Sequence, residues 1–246
     1  MNKSTLVFSI ALNGYQWLYS NELRSHKSYA DKHNYDYQAV TRPYFSLLGV
    51  ECCWLKLTLM RQALLSGYQQ VMFIDADAMV NDNCPALETL YSPNQHIYMA
   101  KGYSNRFNSG VLIVRNHPAA IDWLTRVIDS SMLSIKDEHS VGWGENGHII
   151  EMSQYCPFIC EINQKWNNTY DTHMTDYIHH KNCGPLRTRW VDNFIHKVIF
   201  CFSRRILTST NVFHMSDQLN GFDSKLDYET VRVISVYPRF STNKYA

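Results

Sequence analysis

The segment Phe73-Ile74-Asp75-Ala76-Asp77-Ala78 sets two carboxylates one residue apart, directly behind the apolar run Val71 to Ile74. Carboxylates are favoured ligands of hard divalent cations, which bridge to phosphate oxygens and neutralise a departing diphosphate. A chain leaving a buried strand can turn, so both side chains, with the Ala76 backbone between them, can serve one ion. The alternative is a solvated turn in which Asp does ordinary turn chemistry. Two acids at the mouth of a buried strand need a partner for their charge, which favours the ion.

Other residues carry chemistry of their own. Asn108-Ser109-Gly110 puts small polar residues at the start of an apolar run, and glycine there lets backbone approach a ligand closely. An ordinary turn-to-strand transition would use the same residues. His214 ends the short apolar strand Val212-Phe213-His214; an imidazole beside two carboxylates suits Mn²⁺, and a hydrogen-bonded core histidine is the alternative. The adjacent pair His179 and His180 is a weaker metal candidate than His214: adjacent side chains diverge, so the pair reads as surface. Lys56 is a compact charge suited to a diphosphate, whereas Arg115 reads as a plain surface charge. Tyr15, just past the first strand, can stack on a nucleobase or belong to the core. Glu145 and Asn146 stand where a helix start would be capped.

The elements that must position these groups alternate in type. Thr5 to Ala11 reads as a buried strand ended by Asn13-Gly14, and a helical stretch follows over about 15–33. Tyr35 to Val40 is a second strand. From Glu51 the positions Cys53, Leu57, Met60 and Leu64 recur at helical spacing, with Gly67 as the stop. Val71 to Ile74 is the third strand. His96 to Ala100 and Gly110 to Val114 are further strands, and Pro118 opens a helix over about 118–129. This order predicts an α/β fold with a mostly parallel sheet flanked by helices. Beyond residue 130 short helices and loops prevail, until the apolar stretches Val212 to His214 and Val231 to Val236.

Composition sets the outer bounds. With 246 residues, 45% of them hydrophobic, the chain can bury one large core. Charged residues make up 18% and the net charge is +1, so no global field draws nucleic acid. Seven cysteines without a CxxC pair read as reduced thiols of a cytoplasmic protein. The sequons at Asn2 and Asn167 are short enough to arise by chance. No apolar run is long enough to span a bilayer. In Trp190 to Leu207, however, Ile195, Ile199, Phe202 and Ile206 form one stripe, flanked by Arg187, Arg189, Lys197, Arg204 and Arg205. Such a segment is either a core helix with a basic edge or a peripheral contact with the inner face of a membrane.

Trp54-Leu55-Lys56, Tyr68, Val71 to Ala78 and Asn108-Ser109-Gly110-Val111 together resemble the GT-A fold glycosyltransferases, and are similar in pattern to glycosyltransferase family 34. The resemblance covers roughly residues 5–125. It implies a single GT-A-type domain, with residues 1–115 binding the nucleotide-sugar and an irregular region, 116–246, completing the acceptor side. It further implies a UDP-hexose or UDP-pentose donor, a glycan or glycolipid acceptor, retention of anomeric configuration, and Mn²⁺ or Mg²⁺ held by Asp75 and Asp77 with His214 as a late third ligand. Tyr15, Lys56, Ala76, Ser109 and Gly110 would line the donor. Glu145-Asn146 falls where related enzymes carry Asp-Gln beneath the reacting sugar, so Glu145, Asn146 and Asn108 become the catalytic candidates. Two other classes compete. A haloacid-dehalogenase-type phosphatase also follows a strand with D-x-D, but Met79 stands where that class expects Thr or Val. A non-catalytic carbohydrate-binding module would need no nucleotide site.

Overall fold

The structure, a computed structural model, describes residues 4–141, 144–182 and 221–241, together with residues 186, 194, 198, 201, 202, 205 and 219. Its centre is a six-stranded sheet. The strands are β1 (Thr5–Ile10), β2 (Asp36–Val40), β3 (Gln70–Ile74), β5 (Ile97–Met99), β6 (Val111–Arg115) and β7 (Ile159–Glu161), in the order β2-β1-β3-β6-β5-β7. A separate two-stranded ribbon pairs β4 (Ala78–Val80) with β8 (Ile178–His180). The helices are α1 (Tyr15–Leu18), α2 (Ser20–Lys32), α3 (Leu55–Leu65), α4 (Pro118–Asp129), α5 (Asn146–Met152) and α6 (Gly221–Val236).

The central strands read as unbroken apolar runs because both faces are covered. Leu6, Phe8, Val71, Phe73, Leu112 and Val114 face one core with Leu57, Met60 and Leu64 of α3, Trp123 of α4 and Leu226 and Val233 of α6. Their neighbours Val7, Met72, Ile74, Val111 and Ile113 face the other, with Tyr29 and Ala30 of α2. β1 pairs in parallel with β2 and with β3, as expected of strands joined through helices. β6 runs against β3 and β5, so it alone points the other way among the six strands of this sheet. Its reversal brings Gly110, just before β6, beside Asp75, just after β3. Gly67 ends the α3 segment with a left-handed φ of 101°.

The chain departs from the sequence reading at several places. The apolar stretch Val231 to Val236 forms the last turns of α6: Leu226, Thr230 and Val233 recur at helical spacing and pack inward, and Thr230 hydrogen-bonds Thr58 of α3 across the helix pair at 2.8 Å. Three strands of three residues each, β4, β7 and β8, were too short to show a period in sequence. Val212 to His214 lies outside the described residues. The six described cysteines are free thiols.

Candidate active site

Everything that converges on the acidic pair does so at the carboxyl edge of the sheet, where open α/β folds bind their ligands. β3 delivers Asp75, whose backbone N–H donates to the Gly110 carbonyl at 2.7 Å. The chain then turns through Ala76 and Asp77 and enters β4. Across the ribbon Ala78 is the register partner of His180, which sets that imidazole beside both acids. His180 Nε2 lies 3.2 Å from Asp77 Oδ1 and 3.7 Å from Asp75 Oδ2. One ligand atom from each of Asp75, Asp77 and His180 falls within 4.8 Å of the others.

The direction of the imidazole is set by a buried amide. The Asn167 Nδ2 group donates to the Asn108 backbone carbonyl at 3.1 Å, a group that can only accept. Its Oδ1 therefore faces His180 Nδ1, 2.8 Å away, and must receive a proton from it. With Nδ1 carrying that proton, neutral His180 turns the Nε2 lone pair toward the two carboxylates. An imidazole oriented by a hydrogen bond on its far nitrogen is the usual arrangement of a metal-binding histidine. Asn167 is 1% exposed, so its sequon marks a buried structural residue and not a surface one.

Gly110 completes the cradle. A Cβ there would lie 2.1 Å from His180 Cε1 and 2.9 Å from Asp75 Oδ2, so a side chain at 110 and this imidazole cannot share the space. The expectation of close approach at Gly110 thus has a concrete partner within the protein.

Behind the acids sits a buried ion pair. Lys56, near the start of α3, is 2% exposed, and its ammonium lies 2.8 Å from Glu145 Oε1 and 3.5 Å from Asp75 Oδ1, above the Phe73 ring. Ser109 Oγ donates to the same Glu145 oxygen at 2.6 Å. Burial works against the Glu145 charge, but Lys56 and these hydrogen bonds outweigh it and hold the carboxyl at about 2. Burial likewise opposes the Lys56 ammonium, and Asp75 and Glu145 overcome it, raising its affinity for the proton. Asp75 moves up: burial leads, and the neighbouring Asp77 and Glu145 add to it against Lys56 and His180. For His180 burial is again the largest influence and acts downward, yet Asp77 and Asp75 prevail and raise it. Asp75 and Glu145 face one ammonium while Asp77 lies against the His180 imidazole, and with that imidazole neutral the site carries an excess of negative charge that a divalent cation would neutralise.

The candidate catalytic trio holds the loop before β6. Asn146 Oδ1 accepts from the Ser109 backbone N–H at 2.9 Å, and its amide donates to the Phe107 carbonyl at 3.1 Å. Asn108 Oδ1 accepts from the Gly110 N–H at 3.0 Å and from Asn167 at 2.9 Å. Glu145 precedes α5 without capping it by its side chain. Tyr15 is half-buried and stacks on Tyr19 at 5.3 Å. Ala76 is buried in the turn between the two acids.

The structure corrects the reading of His179 and His180 as surface. The two side chains do diverge along β8, but that divergence sends His179 to Asp176 and His180 inward, where it is 2% exposed. His214, the expected third ligand, lies outside the described residues, as does most of 190–207. Within that segment Phe194, Val198, Cys201, Phe202 and Arg205 are exposed, which for Phe202 goes against packing in a core helix. Among the described residues no helix is long and apolar enough to cross a membrane. Arg115 lies at the end of β6, at the opposite edge of the sheet from Asp75.

A second group supports the turn from beneath. His26 of α2 is fully buried, accepts from Ser9 Oγ at 2.7 Å on Nδ1 and donates through Nε2 to the Ala78 carbonyl at 2.6 Å. Burial drives its pKa down to about 4, against the pull of Ala78 and Asp77.

No protein-family model and no curated protein sequence matches the chain. Solved structures do. A glycosyltransferase involved in the glycosylation of the major capsid of PBCV-1 superposes with a TM-score of 0.51 at 13% identity, over 66% of this chain and 83% of that one. The apo form of the glycosyltransferase GlyE from Streptococcus pneumoniae TIGR4 superposes with a TM-score of 0.50 at 12% identity, over 84% of this chain and 63% of that one. With its helix-flanked, mostly parallel sheet and the Asp-x-Asp turn at the carboxyl edge of β3, the chain has the fold of the GT-A glycosyltransferases.

Proposed function

We propose that this protein is a metal-dependent glycosyltransferase that moves a hexose from a UDP-sugar to a glycan or glycolipid. The observation that carries the reading is the convergence of Asp75, Asp77 and the Nε2 lone pair of His180 at the carboxyl edge of this sheet. Two carboxylate oxygens and one imidazole nitrogen make a donor set suited to Mn²⁺, with Mg²⁺ the weaker fit to the nitrogen. The remaining positions of the ion would face the diphosphate, and the ion would supply the charge that stabilises its departure.

The protein's own residues have distinct parts in this reading. Lys56 and Glu145 brace Asp75 and Ser109 from behind and do not touch the donor. Asn146 and Asn108 shape the 107–110 loop against which the donor sugar would lie, and Tyr15 stands at the mouth of β1, where a uracil would stack. Both halves of the chain contribute to the single domain, since His180 and Glu145 come from beyond residue 115. Retention of configuration follows only from the resemblance to family 34.

The test uses the full chain and a panel of nucleotide-sugars. UDP with Mn²⁺ is expected to raise the unfolding temperature by more than either alone, and one UDP-sugar of the panel to be hydrolysed slowly in a Mn²⁺-dependent way. Asp77→Ala should abolish both effects and leave the fold intact. Release of phosphate from an aryl phosphate, with no response to UDP, would instead favour the phosphatase reading.

A further inference from the structure

At the edge of the sheet opposite Asp75, a cavity of about 270 Å³ is lined by Gln69, Tyr91, His96, Arg115, Asn116 and His117. Three strand ends build it. Gln69 precedes β3, His96 precedes β5, and Arg115 ends β6. The Arg115 N–H donates to the His96 carbonyl at 2.8 Å, and the Asn116 N–H to the Gln69 carbonyl at 2.8 Å. Gln69 and Asp75 are separated by the whole of β3, about 20 Å at the usual rise of a strand. The cavity is therefore separate from the candidate active site.

Its lining is basic. The Arg115 guanidinium lies 4.5 Å from the centre of the Tyr91 ring and, among the described residues, pairs with no carboxylate. The His96 and His117 rings stack at 3.7 Å with 12° between their planes. His117 Nδ1 accepts from the Ala119 backbone N–H at 3.2 Å, so neutral His117 carries its proton on Nε2. Glu88 stands near, but its two oxygens accept from Gln70 and Tyr35. His96 resists protonation: burial, His117 and Arg115 lower its pKa against the hydrogen bond it makes to the Gln95 carbonyl. A bound oxyanion would remove that conflict, and the planar fork of an arginine matches the oxygens of a phosphate.

We infer that the cavity between His96, Arg115 and His117 is a binding site for a phosphate group, separate from the donor site. The shared chemistry is a tetrahedral oxyanion held by the Arg115 guanidinium fork and the His117 Nε2–H, with the His96 ring, whose own N–H is donated to the Gln95 carbonyl, stacked behind it. It can come from free inorganic phosphate or from a phosphate monoester on a sugar.

The test titrates the full, metal-free chain with inorganic phosphate in EDTA, following the Cε1 protons of His96 and His117 by NMR. Saturable shifts of both are expected. Arg115→Gln should weaken binding about tenfold or more, the scale of losing one charge-assisted hydrogen bond. Arg115→Lys, which keeps the charge without the fork, should fall between the two and covers the case in which Arg115→Gln does not fold. Asp77→Asn should leave the phosphate affinity unchanged, because the acidic pair lies at the other edge. Glucose 1-phosphate forms the second arm: equal affinity marks a site for the phosphate alone, tighter binding marks a site for a phosphorylated sugar. Absence of shifts at His96 and His117, or equal affinity in the wild type and both Arg115 variants, overturns the assignment. So does loss of binding in folded Asp77→Asn.

Discussion

Gly110 and His180, seventy residues apart in sequence, occupy one space: the imidazole fills the volume that a side chain at 110 would need, its Cε1 2.1 Å from an ideal Cβ. Gly110→Ala must push the ring away from Asp75 and Asp77. Overpacking of this kind costs about 1–3 kcal/mol of stability. The larger effect is expected on the ion, with Mn²⁺ affinity falling about tenfold or more as His180 leaves its position. Mn²⁺ titration by electron paramagnetic resonance measures this, and an unchanged affinity in the folded variant would remove His180 from the ligand set.

Asn167 should behave as a positioning residue for the same ion. Asn167→Leu removes the acceptor that keeps the His180 proton on Nδ1. Loss of such an orienting partner lowers metal affinity by about 10–100-fold. Asn167→Asp keeps an acceptor at that place but turns its second oxygen on the Asn108 carbonyl, so it should recover only part of the loss. If both variants bind Mn²⁺ equally well, the hydrogen bond does not orient a ligand.

His26 predicts a stability slope in mild acid. Its folded pKa of about 4 lies below the 6.5 of an unperturbed histidine. The unfolded chain therefore takes up the proton first, and stability is full above about pH 6.5 and declines as pH falls toward 4. The shift corresponds to about 3 kcal/mol at most. His26→Gln keeps a donor for the Ala78 carbonyl but does not titrate, so denaturant unfolding at pH 7 and pH 4.5 should differ less in the variant than in the wild type. Equal differences would show that His26 does not stay neutral in the fold.

Glu145 contributes in a lower window. Its folded value of about 2 lies below the ordinary 4.5, so its contribution is present above about pH 4.5 and is lost as pH falls toward 2. Glu145→Gln leaves the Lys56 ammonium with Asp75 alone, and breaking a buried pair costs about 3–5 kcal/mol. A bracing role predicts that loss of stability together with a pH–rate profile of unchanged shape. A general acid or base at this position would instead remove one limb of the profile and leave stability nearly untouched.

The acidic pair could be read from sequence because its signal is local: four apolar residues and two carboxylates lie within one short stretch. The parallel core could be read for the same reason, since β1, β2 and β3 are separated by stretches with clear periodicity. His180 could not. It sits in a three-residue strand whose partner, Ala78, is a hundred residues earlier, and no short-range pattern encodes that pairing. The divergence of adjacent side chains was a sound premise for His179 and His180, but in a ribbon with one covered face it places one of the two inside. Lys56 looked like a free cation because its counter-charge, Glu145, is remote in sequence. The valines of α6 carry a strand preference that yields to packing against α3.

The β4–β8 ribbon gives the ion site an order of assembly. Both carboxylates leave the ribosome about a hundred residues before the His180 imidazole that joins them. Until residues 178–180 pair with 78–80, the Asp75–Asp77 turn has Lys56 close by as counter-charge and no third ligand. On the proposed function, capacity to hold the cation would thus be acquired late in synthesis, on closure of a long-range ribbon. Once bound, the ion would tie the two distant stretches together and make the free energy of that closure depend on metal concentration.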